Sequence, residues 1–71
     1  MRWRWCRPGE ASNSAIFVTE QQARDNAVFN AMIARQTNDR ASSRYKRMTD
    51  DEKALMWQSL SRAGWRTEVA P

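Results

Sequence analysis

Residues 19–34 read TEQQARDNAVFNAMIA, and the rest of the chain has to cover the apolar faces of this segment. Thr19 and Gln22 match a capping box, in which the threonine side chain accepts from the Gln22 amide and the glutamine side chain reaches back. The following residues favour a helix as far as about Gln36, where Thr37 lowers the helix propensity. The sequence therefore predicts one long helix that begins directly after Thr19.

The apolar residues of this predicted helix lie on more than one face. At about 100° per residue, alanines form one narrow stripe, and two further lines carry larger side chains. A helix that is apolar nearly all round must be buried on more than one side, and an alanine stripe lets a neighbouring backbone come close. We therefore expect other elements to cover it. The three lines are Ala23, Ala27, Ala31 and Ala34; Val28 and Met32; and Phe29 and Ile33.

A second helix is predicted to begin after Thr49, because Thr49 and Glu52 form a clearer capping box with two aspartates between them. An apolar stripe follows at i, i+4 and i+7 and runs from Met56 to Ala63. Gly64 directly afterwards suits the left-handed residue of a Schellman ending. The second helix is therefore expected to end before Gly64.

Three short segments have the character of strands. Residues 2–6, RWRWC, alternate with the period of a half-buried strand, and residues 8–14, PGEASNS, are typical of a turn and loop. Residues 15–18, AIFV, predict a second strand, and residues 65–69, WRTEV, alternate again and predict an optional third. The expected fold class is α+β: a small N-terminal β-hairpin packed on two helices, ordered ββαα, or ββααβ if the last strand forms.

The length of 71 residues corresponds to one small domain, residues 1–71. Residues 37–48, TNDRASSRYKRM, are strongly charged, and we find no apolar stripe in them. We interpret them as an exposed basic connection between the two helices, with at most a short helix begun by Asp39.

The composition excludes most site chemistry. Histidine is absent and Cys6 is the single cysteine, whereas zinc sites need several such ligands and catalytic triads usually need a histidine base. The chain also lacks a glycine-rich phosphate loop and is too short to enclose a substrate pocket. We therefore expect no enzyme activity, no metal, no cofactor and no small-molecule substrate. The lone cysteine and the lack of a long apolar run favour a cytoplasmic location over a membrane one.

The net charge of +4 is concentrated in two segments, either of which could contact phosphates or an acidic protein surface. The N-terminal segment has three interpretations that the sequence leaves open. It can be an edge strand with tryptophan inward and arginine outward, a surface on which tryptophans stack on bases, or a segment that associates with an anionic membrane interface. The edge strand is the favoured interpretation, and membrane association is the least favoured. The two clusters are Arg2, Arg4 and Arg7; and Arg40, Arg44, Lys46 and Arg47.

The excess of apolar faces predicts an interaction surface, because we expect a hairpin and one further helix to leave part of the first helix uncovered. Our leading hypothesis is a small basic accessory or regulatory protein, an adaptor or inhibitor of the general character found in bacteria and phages. It would bind another protein or a second copy of itself. The alternative is a nucleic-acid-binding protein that uses the two basic clusters. The predicted apolar contact residues are Trp3, Trp5, Val28, Phe29, Met32 and Ile33.

Overall fold

The computed structural model describes residues 1–10 and 15–71 and has an α+β fold, as predicted. β1 and β2 pair antiparallel, with Trp3 opposite Val69 and Cys6 opposite Arg66, so the predicted closing strand is confirmed. Residues 11–14 of the predicted loop lie outside the described residues. The elements in chain order are β1 (Trp3–Cys6), α1 (Glu20–Ile33), α2 (Asn38–Arg47), α3 (Asp50–Arg62) and β2 (Arg66–Val69).

The segment predicted as a second strand, residues 15–18, contributes a single β-bridge. Trp3 and Phe17 exchange two backbone hydrogen bonds, with N to O distances of 2.8 and 2.7 Å. Thr19 then caps α1, its side chain accepting from the Gln22 amide, so the chain turns away from the sheet directly after the bridge. β1 consequently pairs along its length with β2, and the sheet joins the two ends of the chain.

α1 is buried on two sides, as its sequence predicts. On one side the ring of Trp5 lies against two fully buried alanines of α1. On the other side Val28 and Met32 pack with the buried Ala41 of α2. Trp57 of α3 contacts both groups, so the two core clusters meet at this one side chain.

Residues 38–47 form the 10-residue helix α2, where the sequence suggested a connection with at most a short helix. The Thr37 side chain starts it by accepting a hydrogen bond from an amide one turn later. Ala41, Tyr45 and Met48 follow at i, i+4 and i+7 and join the core cluster between the helices. This apolar line is inconspicuous in sequence because it combines a small residue, a phenol and a residue beyond the helix end.

α3 begins and ends as the sequence predicts. The capping box of Thr49 and Glu52 is present in both directions. At the other end Gly64 has a φ of +107°, and the Trp65 N–H donates to the Leu60 carbonyl at 3.0 Å. This hydrogen bond is the one that spans six residues in a Schellman ending. The turn leads the chain directly into β2.

Replacing Gly64 by alanine is expected to lower the free energy of unfolding by about 1–3 kcal/mol, because its φ disfavours any side chain. The added Cβ would also lie 3.1 Å from Cβ of Pro8. Gly9→Ala is the matched control, since Gly9 has a φ of +73° but nothing within 4 Å of the added Cβ. Denaturant unfolding of both variants measures the two effects, and a loss in Gly64→Ala no larger than in Gly9→Ala would contradict the role of the Pro8 contact.

Candidate functional site

A row of arginines runs along the outward side of α2. Arg40, Arg44 and Arg47 recur at i, i+4 and i+7 and are all exposed. With a rise of 1.5 Å per residue, the row is about 10 Å long. None of the three takes part in the ion pairs found among residues 1–10 and 15–71. We call these residues the arginine row.

The opposite side of α2 fixes the direction of the arginine row. Ala41 is buried against α1, and the Tyr45 ring meets the Phe29 ring edge to face with centroids 5.3 Å apart. The Lys53 ammonium of α3 lies 4.3 Å from the centroid of the Tyr45 ring. Because one side of α2 is held in this way by both other helices, the arginines project from a supported helix.

An apolar groove of about 380 Å³ adjoins the arginine row. It is formed by the C-terminal end of α1, by α2 and by the last turns of α3, and it also takes in the residue that precedes β2. Large apolar side chains make its floor, and three alanines keep the rest of its lining low. We call it the helical groove. Its large apolar residues are Met32, Met56, Leu60 and Trp65, and its alanines are Ala31, Ala34 and Ala63.

The arginine row and the helical groove form one continuous surface. Arg44 belongs to both, and Gln36 lines the helical groove as well as the shallow depression beside Arg40 and Arg47. In the part of the chain that the structure describes, Asp39 is the single carboxylate lining the depression, and none lines the helical groove. The surface therefore combines an apolar part with a positively charged part.

Lys46 is separated from the arginines with which the sequence groups it. It lines a different, open groove of about 640 Å³, together with Asp25 and the rings of Phe17, Phe29 and Tyr45. Successive residues of a helix are about 100° apart, so Lys46 points away from its neighbour Arg47. The basic cluster of residues 40–47 is thus divided between two sides of α2.

Two of the three N-terminal arginines make side-chain contacts within the chain. Arg4 Nη2 lies 3.0 Å from Oε2 of Glu68, and the Arg7 guanidinium lies over the rings of Trp5 and Trp65 at 5.6 and 5.8 Å. Of the three predicted N-terminal contact residues, Arg2 is the exposed one. The segment thus has the geometry of the edge-strand interpretation, in which the tryptophans point inward.

The predicted apolar contact residues lie in or against the core. Trp5, Val28 and Met32 are only 4%, 1% and 3% exposed. The reason is that α2 and α3 cover the larger apolar lines of α1, which the sequence left for a partner or a second copy. Those lines are occupied by the chain itself. The remaining members are half-buried and packed on the two core clusters: Trp3, Phe29 and Ile33.

Cys6 is fully buried and hydrogen-bonded. Its Sγ donates to Oε1 of Glu68 at 2.8 Å. The same carboxylate pairs with Arg4 and lies 3.6 Å from Nη2 of Arg66. Charge-assisted contacts of this kind are among the stronger polar ones, so the cluster fastens β1 to β2.

Apart from Met32 and Arg44, the residues that line the groove were not identified as contact residues by sequence reasoning. Met56 and Leu60 were predicted only as the core stripe of their helix, and Arg35 was not singled out. Their shared surface exists only once α2 lies beside α1 and α3. The signal that could have found it is the i, i+4, i+7 spacing of Ala41, Tyr45 and Met48.

The fold raises the pKa of the Tyr45 phenol. Burial raises the pKa of its phenol above the usual value of 10.0, and the negative charge of Asp25 raises it further. The phenolate is therefore disfavoured in the folded chain.

Among residues 1–10 and 15–71 there is no group of three or more histidine, cysteine, aspartate or glutamate side chains that could hold a metal ion. No helix in the same residues has both the length and the apolar content needed to cross a membrane. Comparisons with protein-family models, curated proteins and solved structures gave no match.

The raised pKa of Tyr45 predicts a loss of stability at alkaline pH. The stability that comes from keeping the Tyr45 phenol protonated is fully present below the pKa of the phenol in the unfolded chain. It is lost as the pH rises through the higher pKa of the phenol in the folded chain. As the pH rises from about 9 through the pKa of the folded chain, the free energy of unfolding should fall more for the wild-type chain than for Tyr45→Phe. Because Tyr45 is the single tyrosine, its phenolate absorbance reports the titration directly. Identical pH profiles of the two proteins would contradict the shift.

Proposed function

We propose that the chain is a small non-enzymatic binding protein, an adaptor or inhibitor, that docks on an acidic surface of another protein. The observation that carries this proposal is the arginine row, three exposed guanidinium groups on one side of a helix that take part in none of the ion pairs among the described residues. Three like charges held together repel one another, and an anionic partner relieves that repulsion. We further propose a cytoplasmic location, which the single buried thiol of Cys6 supports.

The apolar surface beside the arginine row favours a protein as the partner. The helical groove exposes parts of Met56, Leu60 and Trp65 directly next to Arg44. A protein supplies carboxylates for the arginines and apolar side chains for the groove from the same surface. The backbone of a nucleic-acid duplex supplies phosphates alone, and it would leave the apolar part of this surface in contact with water.

Nucleic-acid binding is the second candidate function, and the arginine row itself favours it. Arginine pairs with phosphate through two parallel hydrogen bonds, and a short row of such groups suits a phosphate backbone. Base stacking receives no such support, because Trp5 is buried and stacked on Trp65 with ring centroids 5.5 Å apart. The mode that the geometry favours is therefore backbone contact through α2 and not the stacking strand expected from the sequence.

Reversing two charges of the arginine row tests the proposal. The tagged chain is incubated with nuclease-treated lysate of its source cells, and the captured protein is quantified for the wild type and for Arg40→Glu/Arg47→Glu. We expect at least about a tenfold loss of the captured partner, because like charges then face each other across the interface. The matched control, Ala54→Glu/Gln58→Glu/Arg62→Glu, changes the net charge equally at exposed sites of α3 outside the arginine row and the helical groove. Capture by the control should stay within about twofold of the wild type.

Three outcomes would contradict this proposal. Capture that falls equally in the arginine-row variant and in the control would mean that net charge, not the arginine row, governs binding, and capture that is unchanged in both would remove the arginine row from the interface. Loss of every captured protein on nuclease treatment, with nucleic acid in the untreated eluate, would favour the second candidate. In that case the affinity should also fall steeply between about 50 and 200 mM salt, because neutralised phosphates release counterions.

A further inference from the structure

We infer that the helical groove receives the apolar face of an acidic amphipathic helix of the partner protein, with Arg35 and Arg44 pairing with carboxylates along one side of that helix. This inference rests on the proposed function, because it specifies the partner that the arginine row would meet. It adds the secondary structure of the docking segment and the place where its apolar side chains lie.

The floor of the helical groove suits aliphatic side chains. Met32 is 3% exposed and closes the bottom, whereas Met56 and Leu60 are half-buried and turn part of their surface toward the opening. Methionine is flexible and polarisable, so two methionines allow the floor to fit more than one apolar shape. Ala34 and Ala63 line the groove and are exposed, and their small side chains leave room for a ridge to enter.

The charges around the helical groove are one-sided. Arg35 and Arg44 lie on the walls made by the end of α1 and by α2, while the α3 wall carries the neutral Ser59. No carboxylate lines the groove among the described residues. A complementary segment therefore has acidic residues along one side of its apolar stripe and neutral residues along the other. The continuation of the positive charge toward Arg40 and Arg47 extends the acidic side along the segment.

The architecture of the groove favours a helix as the occupant. None of its lining residues among the described ones belongs to β1 or β2, so the groove itself offers no strand backbone for an extended segment to pair with. Recognition must then depend on side chains, as when an amphipathic helix lays apolar residues at i, i+3, i+4 and i+7 into a groove. A nucleic-acid duplex has no apolar ridge of this kind. An acidic helix satisfies both the apolar floor and the arginines with one surface.

The size of the groove sets the expected affinity. A single helix on this surface buries less than a standard interface, which places the complex among weak or transient ones with a Kd of about 1–100 μM. The exposed arginines make the affinity sensitive to salt, since exposed charges are screened at high ionic strength.

Two synthetic peptides provide the test, each labelled with a fluorophore and about four helical turns long. The amphipathic peptide carries leucines along one helix face, glutamates along one side of that face and glutamines elsewhere. The permuted peptide has the same composition and charge without the leucine stripe. Fluorescence anisotropy with the full chain should give at least about tenfold tighter binding of the amphipathic peptide.

Matched variants locate the binding in the helical groove. Ala34→Gln places a larger polar side chain in the groove at an exposed position, and Ala54→Gln makes the same change at an exposed position of α3 outside it. Ala34→Gln should weaken binding of the amphipathic peptide at least about tenfold, and Ala54→Gln less than about twofold. Arg35→Glu and its control Arg62→Glu test the charged side in the same way. Circular dichroism and unfolding curves establish that each variant is folded.

Several outcomes would overturn the inference, and they separate it from the proposed function. Equal affinity for the two peptides, lost in Arg40→Glu/Arg47→Glu, would leave the proposed function standing and remove the role of the groove. Equal changes of the affinity for the amphipathic peptide in Ala34→Gln and Ala54→Gln would also remove the role of the groove. Failure of both peptides to bind would also overturn the inference, while the lysate experiment would still decide the proposed function. Tighter binding of a duplex oligonucleotide, unchanged by Ala34→Gln, would assign the surface to phosphates.

Discussion

The structure depends on the need to bury α1 on two sides at once. One side presents small alanines, so the ring of Trp5 can lie directly on the helix, and the other presents Val28 and Met32, which need a cover of their own. A chain of 71 residues has few elements with which to do this. It assigns the sheet to the first side and α2 with α3 to the second. Trp57 reaches both sides and makes the two halves of the core one packing unit.

This division explains why the remaining elements lie where they do. The sheet needs only a narrow face to cover an alanine stripe, so two strands of four residues from opposite ends of the chain suffice. The two strands are also joined by the Glu68 side chain, which accepts hydrogen bonds from both Cys6 and Arg4. α2 supplies one apolar line to the helix core, and a helix with one apolar line must place its other residues in water. The arginine row is therefore the necessary outer side of the element that completes the core.

The predictability of the fold follows the range of the interactions involved. The starts of α1 and α3 and the end at Gly64 depend on residues within one turn of each other, and all three were predicted. The pairing of Arg4 with Glu68 joins residues that are 64 positions apart. The alternation of residues 65–69 could therefore suggest the strand β2 without fixing the strand with which it pairs. α2 was missed because Tyr45 stands among basic residues, where its apolar role is hidden. The arginines of the row were predicted as a cluster, but their separation from Lys46 required the helix.

The presence of α2 changes which surface is available to a partner. The sequence placed the apolar docking surface on α1, at Phe29, Met32 and their neighbours, because only one covering helix was foreseen. A second covering helix completes the burial of Val28 and Met32, leaves Phe29 and Ile33 half-buried and, where it meets the ends of α1 and α3, forms the helical groove. Apolar exposure is thereby moved from a broad helix face to a confined recess with arginines on one side. A broad apolar face would favour pairing of two like copies, whereas copies that each carry a net charge of +4 repel one another. A recess flanked by positive charge instead suits a partner that is both apolar and acidic, which is why we propose a different chain as the partner.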